Sequence, residues 1–179
     1  MKNVILFTSI AVASGLLFVN IYTSLVDAKS WGSNISSSIA TAREYFKSVS
    51  PGNFFRIFSP LNQVIAVIVL ILFWKSSPSI RLLLGIALAL YIICDVFTFS
   101  YFYSRNDIMF KTAPLSDTGL LRKAWSQWTT MNWLRSLLVF AGLFLYFVCL
   151  HKIYSMPTKA DDVEVRPKQR TERLSALEN

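Results

Sequence analysis

Four long apolar stretches dominate the chain, and together they predict helices at about 4–26, 57–74, 82–103 and 118–153. The apolar runs at the centre of these helices contain only two charged residues, Asp95 in the third and Arg135 in the fourth. About 20 apolar residues at 1.5 Å rise cross the hydrocarbon layer of a bilayer, where backbone groups must find partners within the segment. The pattern therefore predicts an all-α fold, a four-helix transmembrane bundle, as one domain over residues 1–154.

Two alternatives to this interpretation are a soluble helical core and, for the first stretch, a cleaved signal peptide. Helices of soluble proteins usually present a polar face, and these stretches mostly do not. The apolar part of a signal peptide is about 7–15 residues long and precedes a small-residue cleavage site. The stretch from Val4 to Val26 is longer, and no Ala-x-Ala motif follows it. We therefore expect the first stretch to be a membrane helix.

The segment between the first two helices predicts a short amphipathic helix. Its apolar residues recur at helical spacing, and Ser36, Ser37 or Ser38 is suited to cap its start: Ile39, Ala42, Phe46 and Val49. Pro51-Gly52 is expected to end it, and Ser59-Pro60 to begin the second membrane helix. We expect the short helix to pack on the bundle or at the lipid interface, or else to gate a pocket.

The distribution of charge along the chain predicts the orientation of the chain in the membrane. The chain is 54% hydrophobic and 16% charged with a net charge of +8, and basic residues in short loops favour the cytoplasmic side. Lys2, the link that contains Lys75 and Arg81, and the C-terminal tail agree on cytoplasmic termini in a plasma or inner membrane. The tail, 155–179, is polar and is predicted to be disordered. Nucleic-acid binding would need a basic face on a folded domain, and the sequence predicts none. The bilayer is the expected partner.

Polar side chains in the four predicted helices share one depth. They lie in the half nearer the two longer connecting segments, which is the outward half if both termini are cytoplasmic. Polar groups inside lipid are costly and usually face the bundle interior. The pattern therefore predicts an outward polar pocket for a small apolar or aromatic ligand, with these candidate binding residues: Asn20, Asn62, Gln63, Thr98, Asn106, Trp125, Trp128 and Asn132.

Asp95 and Arg135 are the candidate catalytic residues of this pocket. A carboxylate and a guanidinium on neighbouring membrane helices are expected to pair, because each alone costs several kcal/mol. Three interpretations stay open: a structural ion pair that fixes helix register, a pair that handles charge on a ligand, and an Arg135 side chain that extends to lipid headgroups.

Metal and cofactor chemistry lacks the residues that it needs in this sequence. The only histidine, His151, lies at the opposite end of the fourth helix from the polar groups, and no Cys-x-x-Cys motif or glycine-rich phosphate loop occurs. We therefore expect no metal site and no cofactor.

The stretch Trp128-Thr-Thr-Met-Asn132-Trp-Leu-Arg135 resembles the Trp-x-x-x-Asn-x-x-Arg signature of the anthrone-oxygenase-like membrane proteins. Asn106 resembles the asparagine of the family's polar motif after the third helix, and the hydropathy layout is similar over about residues 4–153. Tyr103-Ser-Arg-Asn106 departs from the family's Asn-x-Pro-x-Asn, since it lacks the proline and the first asparagine.

The resemblance implies small four-helix membrane proteins, most of unknown function, whose named members oxygenate polycyclic phenolic anthrones to quinones without metal or flavin. It would make Asp95 a base, Arg135 a partner for the developing enolate, and Trp125 and Trp128 stacking walls. A protein without catalysis, such a cofactor-independent oxygenase, and a small transporter or accessory subunit are the three functions that stay open. Four helices are few for a carrier unless the chain forms a homo-oligomer.

Overall fold

The structure is a computed structural model that describes residues 1–155. Apart from Ser155, the predicted tail at 155–179 lies outside the described residues. The chain divides into a large unit, Met1–Cys149, and a small one that begins at Leu150, whose described residues are helical. The cavities of the protein and the residues that line them lie in the large unit.

Four continuous helical segments are long and apolar enough to cross a membrane: Lys2–Ser33, Pro51–Leu72, Pro78–Thr112 and Thr118–Ser155. Residues 1–155 contain no β-strand. The predicted all-α fold with four transmembrane helices is therefore confirmed, and the protein is a multi-pass membrane protein.

Six α-helices and three π-helical turns make up these segments, and one further α-helix lies between the first two. The helices are α1 (Lys2–Tyr22), α2 (Ala28–Ser33), α3 (Ile35–Tyr45), α4 (Pro51–Leu72), α5 (Pro78–Phe97), α6 (Tyr103–Asp107) and α7 (Thr118–Ser155). The π-helical turns are Thr23–Asp27, Thr98–Phe102 and Ile108–Thr112, and they join α1 to α2, α5 to α6, and α6 to the turn before α7. The first and third membrane segments are therefore longer than the helices predicted at 4–26 and 82–103, because helical structure continues past the end of each apolar run.

The predicted start of the second membrane helix is wrong. The helix begins at Pro51, with Ser50 as its N-cap residue, and Pro60 lies inside it. Pro51 occupies the first turn, where a missing N–H costs nothing. Pro60 instead removes the hydrogen bond that residue 60 would donate to the carbonyl of Arg56. Pro51 therefore begins the second membrane helix, although the sequence pattern predicted that Pro51-Gly52 ends the preceding amphipathic helix.

The predicted amphipathic helix is present as α3. Ile35, Ile39 and Ala42 are its buried residues, whereas Val49, which the pattern placed on the same face, lies beyond the helix and is exposed. The residue before the helix is Asn34 rather than a serine cap. The helix is therefore shorter than predicted by one turn.

The two longer connecting segments form a compact layer over one end of the bundle. We call this layer the cap and define it as residues 28–45 and 103–117. Its apolar core joins side chains of α2 and α3 to the start of α7: Ala28, Trp31, Ile35, Ile39, Ala42, Phe102, Met109, Ala113, Leu121, Ala124 and Trp128. The side chain of Arg43 donates to the carbonyls of Met109 (2.8 Å) and Ala113 (2.8 Å), which ties α3 to the second half of the cap.

The rest of the large unit is a bundle with an apolar exterior. Helix α4 packs against α1 and against α5, and Gly142 of α7 lies against the ring of Tyr91. Large apolar side chains are exposed around the outside, as lipid contact requires: Phe18, Val64, Ile71, Leu82, Ile93 and Phe144 are examples. The cap therefore covers one end of a lipid-facing bundle.

Candidate functional site

A cavity of about 1050 Å³ lies between the cap and the adjoining halves of α4, α5 and α7. This volume is at the upper end of the range for small-molecule sites. Aromatic side chains form one wall, where Trp31 meets Trp128, Phe110 and Phe46 edge to face at ring-centre distances of 5.2, 4.9 and 6.0 Å. The cavity is therefore suited in size and lining to a planar aromatic ligand.

A second, small space of about 30 Å³ lies deeper in the bundle. It shares six lining residues with the large cavity: Phe55, Ser59, Gln63, Asp95, Thr98 and Arg135. A space of this size holds one or two water molecules where polar groups surround it. We call it the recess, and it extends the cavity towards the centre of the bundle.

Asp95 lies at the boundary between the cavity and the recess, on the last turn of α5. Its Oδ2 accepts a hydrogen bond from Nε2 of Gln63 at 2.5 Å, which links α5 to α4. Ser59, one turn before Gln63, lines the same two spaces as the carboxyl group. A half-buried carboxyl group is stabilised by such polar neighbours in an apolar surrounding.

Arg135 is held between two phenyl rings. Its guanidinium carbon is 4.8 Å from the ring centre of Phe55 and 4.6 Å from that of Phe102, and the residue is 5% exposed. Its Nε is buried without a hydrogen-bond partner among the described residues. Cation–π contacts stabilise a desolvated guanidinium but leave its in-plane donors free. Arg135 therefore presents donors to the cavity and the recess.

The expected ion pair between Asp95 and Arg135 is not formed. The ion pairs within 4.0 Å in the part of the chain that the structure describes are Lys47–Glu44 and Lys111–Asp107. Gln63 satisfies the carboxylate and two rings enclose the guanidinium, so each group has a partner that the sequence pattern did not identify. Since Arg135 is buried, its extension to lipid headgroups is also contradicted.

Six of the eight candidate ligand-binding residues border these spaces. Asn20 and Asn62 line the recess, Gln63 and Thr98 line both spaces, and Asn106 and Trp128 line the large cavity. The Oδ1 atoms of Asn20 and Asn62 and the Nε1 atom of Trp128 are buried without a hydrogen-bond partner within residues 1–155. Unsatisfied buried polar atoms are uncommon in proteins and are expected to bind water or a ligand.

The other two candidates, Trp125 and Asn132, border neither space. Nε1 of Trp125 donates to the carbonyl of Ala28 at 2.6 Å. Nδ2 of Asn132 donates to the carbonyl of Asn20 at 3.1 Å and to Oγ of Ser24 at 2.6 Å. Both side chains therefore fasten α7 to the first membrane segment, and a direct role in ligand binding stays a prediction without support from this geometry.

Several cavity residues were not identified from the sequence. Phe55 and Phe102 enclose Arg135, and Trp31 and Arg43 of the cap line the large cavity. From the sequence alone, an aromatic residue in a membrane helix is expected to contact lipid or to pack in the core, and Arg43 is expected to be a solvated charge. A signal was present in part: Phe102 lies seven residues after Asp95 and so shares its helix face.

The described residues contain no group of three or more His, Cys, Asp or Glu side chains that could hold a metal ion. The absence of a metal and of a cofactor stays a prediction.

Comparisons with known proteins identify the family. A sequence model described as anthrone oxygenase matches residues 53–145, which is just over half of the chain. The match contains Asp95, Arg135, Gln63 and Asn106, together with the Trp128-to-Arg135 signature, and it confirms the resemblance found in the sequence. No curated protein and no solved structure match the chain. The chain therefore belongs to the anthrone oxygenase family.

Proposed function

We propose that the cavity binds a planar aromatic phenol and that Arg135 binds the ionised or ionising oxygen of that ligand. The observation that carries the proposal is the guanidinium of Arg135, buried between two rings with donors free and an aromatic-walled cavity in front of it. A desolvated cation with free donors favours an anionic oxygen far more than it would in water. The aromatic wall then contacts the rings of the ligand.

Binding can be tested with 1,8-dihydroxyanthraquinone, a planar diphenol that absorbs where tryptophan emits. Protein in lipid nanodiscs is titrated with this probe, and quenching of tryptophan fluorescence gives the affinity. We expect Arg135→Met to lose binding by about tenfold or more, as for a lost charged hydrogen bond. Arg122→Met, on the exposed start of α7, is the matched control and is expected to bind normally. Equal affinity for the two variants would contradict the proposal.

A second candidate function is cofactor-independent oxygenation of an anthrone, and the position of Asp95 favours it. Gln63 donates to one carboxylate oxygen, and Asp95 and Arg135 both line the large cavity and the recess, so a base and a cation border the same space. Proton transfer by a positioned side chain and stabilisation of the developing charge are the two contributions that such a reaction needs.

In this reaction Asp95 accepts a proton from the methylene carbon of the anthrone, and the negative charge moves to the carbonyl oxygen beside Arg135. The anion reduces dioxygen while a carbon–oxygen bond forms, which gives a hydroperoxide after protonation. Loss of the second methylene proton with cleavage of the oxygen–oxygen bond then gives the quinone and water. One anthrone and one dioxygen are consumed, so no other oxidant or reductant is needed.

Oxygen uptake with 1,8-dihydroxyanthrone as substrate tests the reaction. We expect Asp95→Asn to lower the rate by about 100-fold or more, as for removal of a general base, while probe binding persists. Asp117→Asn is the control, because Asp117 caps the start of α7 at Leu120 and asparagine caps equally well. Binding without oxygen uptake in the unmodified protein would leave a binding protein and exclude the oxygenase for this substrate.

We further propose that both termini are cytoplasmic in a plasma or inner membrane, which would turn the cavity to the outer side. A transporter or accessory subunit and a homo-oligomer stay predictions without an observation of their own.

A further inference from the structure

The large cavity is bounded on one side by two facing helix stripes. On α4 the lining residues Gly52, Arg56, Ser59 and Gln63 recur every three or four positions. On α5, the π-helical turn that follows it and the start of α6, the lining residues Ile92, Val96, Phe99 and Tyr103 do the same. Residues three and four apart lie on one helix face. The cavity therefore occupies a cleft between α4 and the third membrane segment.

The α5 stripe belongs to the outer surface of the bundle as well as to the cavity. Ile92, Val96 and Phe99 are 44%, 60% and 62% exposed and lie in the apolar run of the third membrane segment. A side chain that borders an internal space and is also open to the outside lies on the rim of an opening. Because this rim is apolar and lies within the run that crosses the hydrocarbon layer, the opening faces lipid.

The hydrogen bond between Gln63 and Asp95 closes the cleft at its deep end. Beyond that bond, towards the cap, Pro60 in the interior of α4 and the π-helical turn at Thr98–Phe102 lie on the two sides of the cleft. Both features interrupt regular helix hydrogen bonding at the level of the cavity, in a pair of helices that pack against each other. Such interruptions favour a local departure from straight, closely packed helices beside the cavity.

We propose that the cavity opens sideways to the hydrocarbon layer between α4 and α5, and that its ligand is a lipophilic molecule that enters from the bilayer rather than from water. This inference rests on the proposed binding function and specifies its ligand class, a planar phenol that partitions into lipid. The apolar rim then admits the rings, and Asp95 and Arg135 meet the phenolic end inside.

The test measures the rate of 1,8-dihydroxyanthraquinone binding by stopped-flow tryptophan quenching in nanodiscs. The lipid composition is varied so that the partition coefficient of the probe changes, while the concentration of free probe in water is held fixed. We expect the association rate to follow the mole fraction of probe in the lipid. A rate that follows the aqueous concentration instead would overturn the proposal.

A rim variant gives a second measurement. Ile92→Phe with Val96→Phe narrows the opening, whereas Ile86→Phe with Ile93→Phe adds the same two rings to exposed positions of α5 that do not border the cavity. We expect the rim variant to slow association by about fivefold or more and to slow dissociation as well, whereas the control variant keeps the rates of the unmodified protein. Unchanged rates, or faster dissociation alone, would show that these residues are not an entrance.

The two proposals fail in different ways. No quenching in the unmodified protein at any lipid composition would exclude the binding function, and the lateral entrance with it. Normal equilibrium binding with rates set by the aqueous probe would exclude the entrance alone.

Discussion

At the scale of single residues, burial of the Arg135 cation is expected to lower the stability of the protein, whereas its free donors favour ligand binding. Two phenyl rings enclose it and no anion within residues 1–155 pairs with it, so its desolvation is only partly offset. Replacing buried ionic groups by apolar side chains of similar volume is often neutral or stabilising, by about 1–4 kcal/mol. The residue is therefore expected to serve ligand binding at a cost in stability.

We accordingly predict that Arg135→Met unfolds in detergent at the same temperature as the unmodified protein or at a higher one. The thermal midpoint, followed by near-UV circular dichroism, is the measurement, and Arg122→Met is the control. A clear fall in the midpoint for Arg135→Met alone would make Arg135 a structural residue.

Asn132 gives the opposite expectation. Its amide bonds two groups of the first membrane segment, and alanine removes the side-chain donor to the carbonyl of Asn20 and to the hydroxyl of Ser24. We predict that Asn132→Ala lowers the free energy of unfolding by about 1–3 kcal/mol, with probe affinity unchanged in the folded fraction. Thr130→Ala, on the exposed face of the same helix, is the control. Lost affinity with normal stability would instead make Asn132 a ligand contact.

The difference between Arg135 and Asn132 shows how far the sequence predicts the site. Both lie in the fourth predicted helix, among the polar side chains that we expect to face the bundle interior, and both are buried as predicted. Polarity and helical spacing predict which side chains face inward, since lipid excludes them. Whether an inward side chain bonds to another helix or borders a cavity depends on the shape of the space between helices. No local pattern encodes that shape, so the pattern does not predict that the indole of Trp125 bonds to the carbonyl of Ala28.

At the scale of elements, two glycines of the membrane helices differ in what surrounds them. A methyl group built on Gly142 of α7 would lie 2.6 Å from the ring of Tyr91, whereas one on Gly15 of α1 would meet nothing within 4 Å. Small residues at helix contacts let membrane helices approach closely. Gly142 is therefore expected to set the approach of α7 to α5.

We predict that Gly142→Ala destabilises the protein by about 1–3 kcal/mol, because an overpacked contact must shift. The ring that has to move also borders the recess, so probe binding is expected to weaken as well. Gly15→Ala is the matched control and is expected to be neutral or slightly stabilising. Reversible unfolding in mixed micelles measures both variants, and equal effects would contradict the predicted close contact.

The helix ends show why element boundaries were only partly predicted. Two Ser-Pro pairs, Ser50-Pro51 and Ser59-Pro60, offer the same start signal for α4. Hydropathy favours the second pair, since Arg56 precedes it and is charged. The first pair is the actual start, because α4 extends beyond the hydrocarbon layer into the region of the cap, where a charge is tolerated. The number and order of the membrane helices depend on the apolar runs alone and were predicted correctly.

At the scale of the whole molecule, the cap and the bundle together create the site. Membership of the anthrone oxygenase family rests on residues 53–145, but Trp31 and Arg43 of the cavity lining lie before that range. The candidate catalytic residues Asp95 and Arg135 therefore lie within the matched range, while part of the aromatic wall of the cavity comes from a segment outside it. Ligand selectivity is expected to depend on that wall.

The orientation of the chain in the membrane is a property of the whole molecule, and it is predicted from the positions of the basic residues. If each of the four segments crosses the bilayer once, the start of α1 and the link between α4 and α5 lie on one side and the cap on the other. The cap side carries several basic residues, of which Arg43 bonds to backbone carbonyls and Lys47 and Lys111 form exposed ion pairs with acids. The short link that contains Lys75 and Arg81 carries no acid, so it is the basis on which we expect a cytoplasmic N-terminus.

We predict that Ser76→Cys reacts with an impermeant maleimide only from the cytoplasmic side, and Ser116→Cys only from the opposite side. The native cysteines, Cys94 and Cys149, are buried and give a low background. Right-side-out and inverted membrane vesicles of the expression host separate the two sides, and labelling after solubilisation provides the maximum. Reaction of Ser116→Cys from the cytoplasmic side would reverse the orientation and turn the cavity towards the cytoplasm. The lateral entrance would be unaffected, because the bilayer borders α4 and α5 in either orientation.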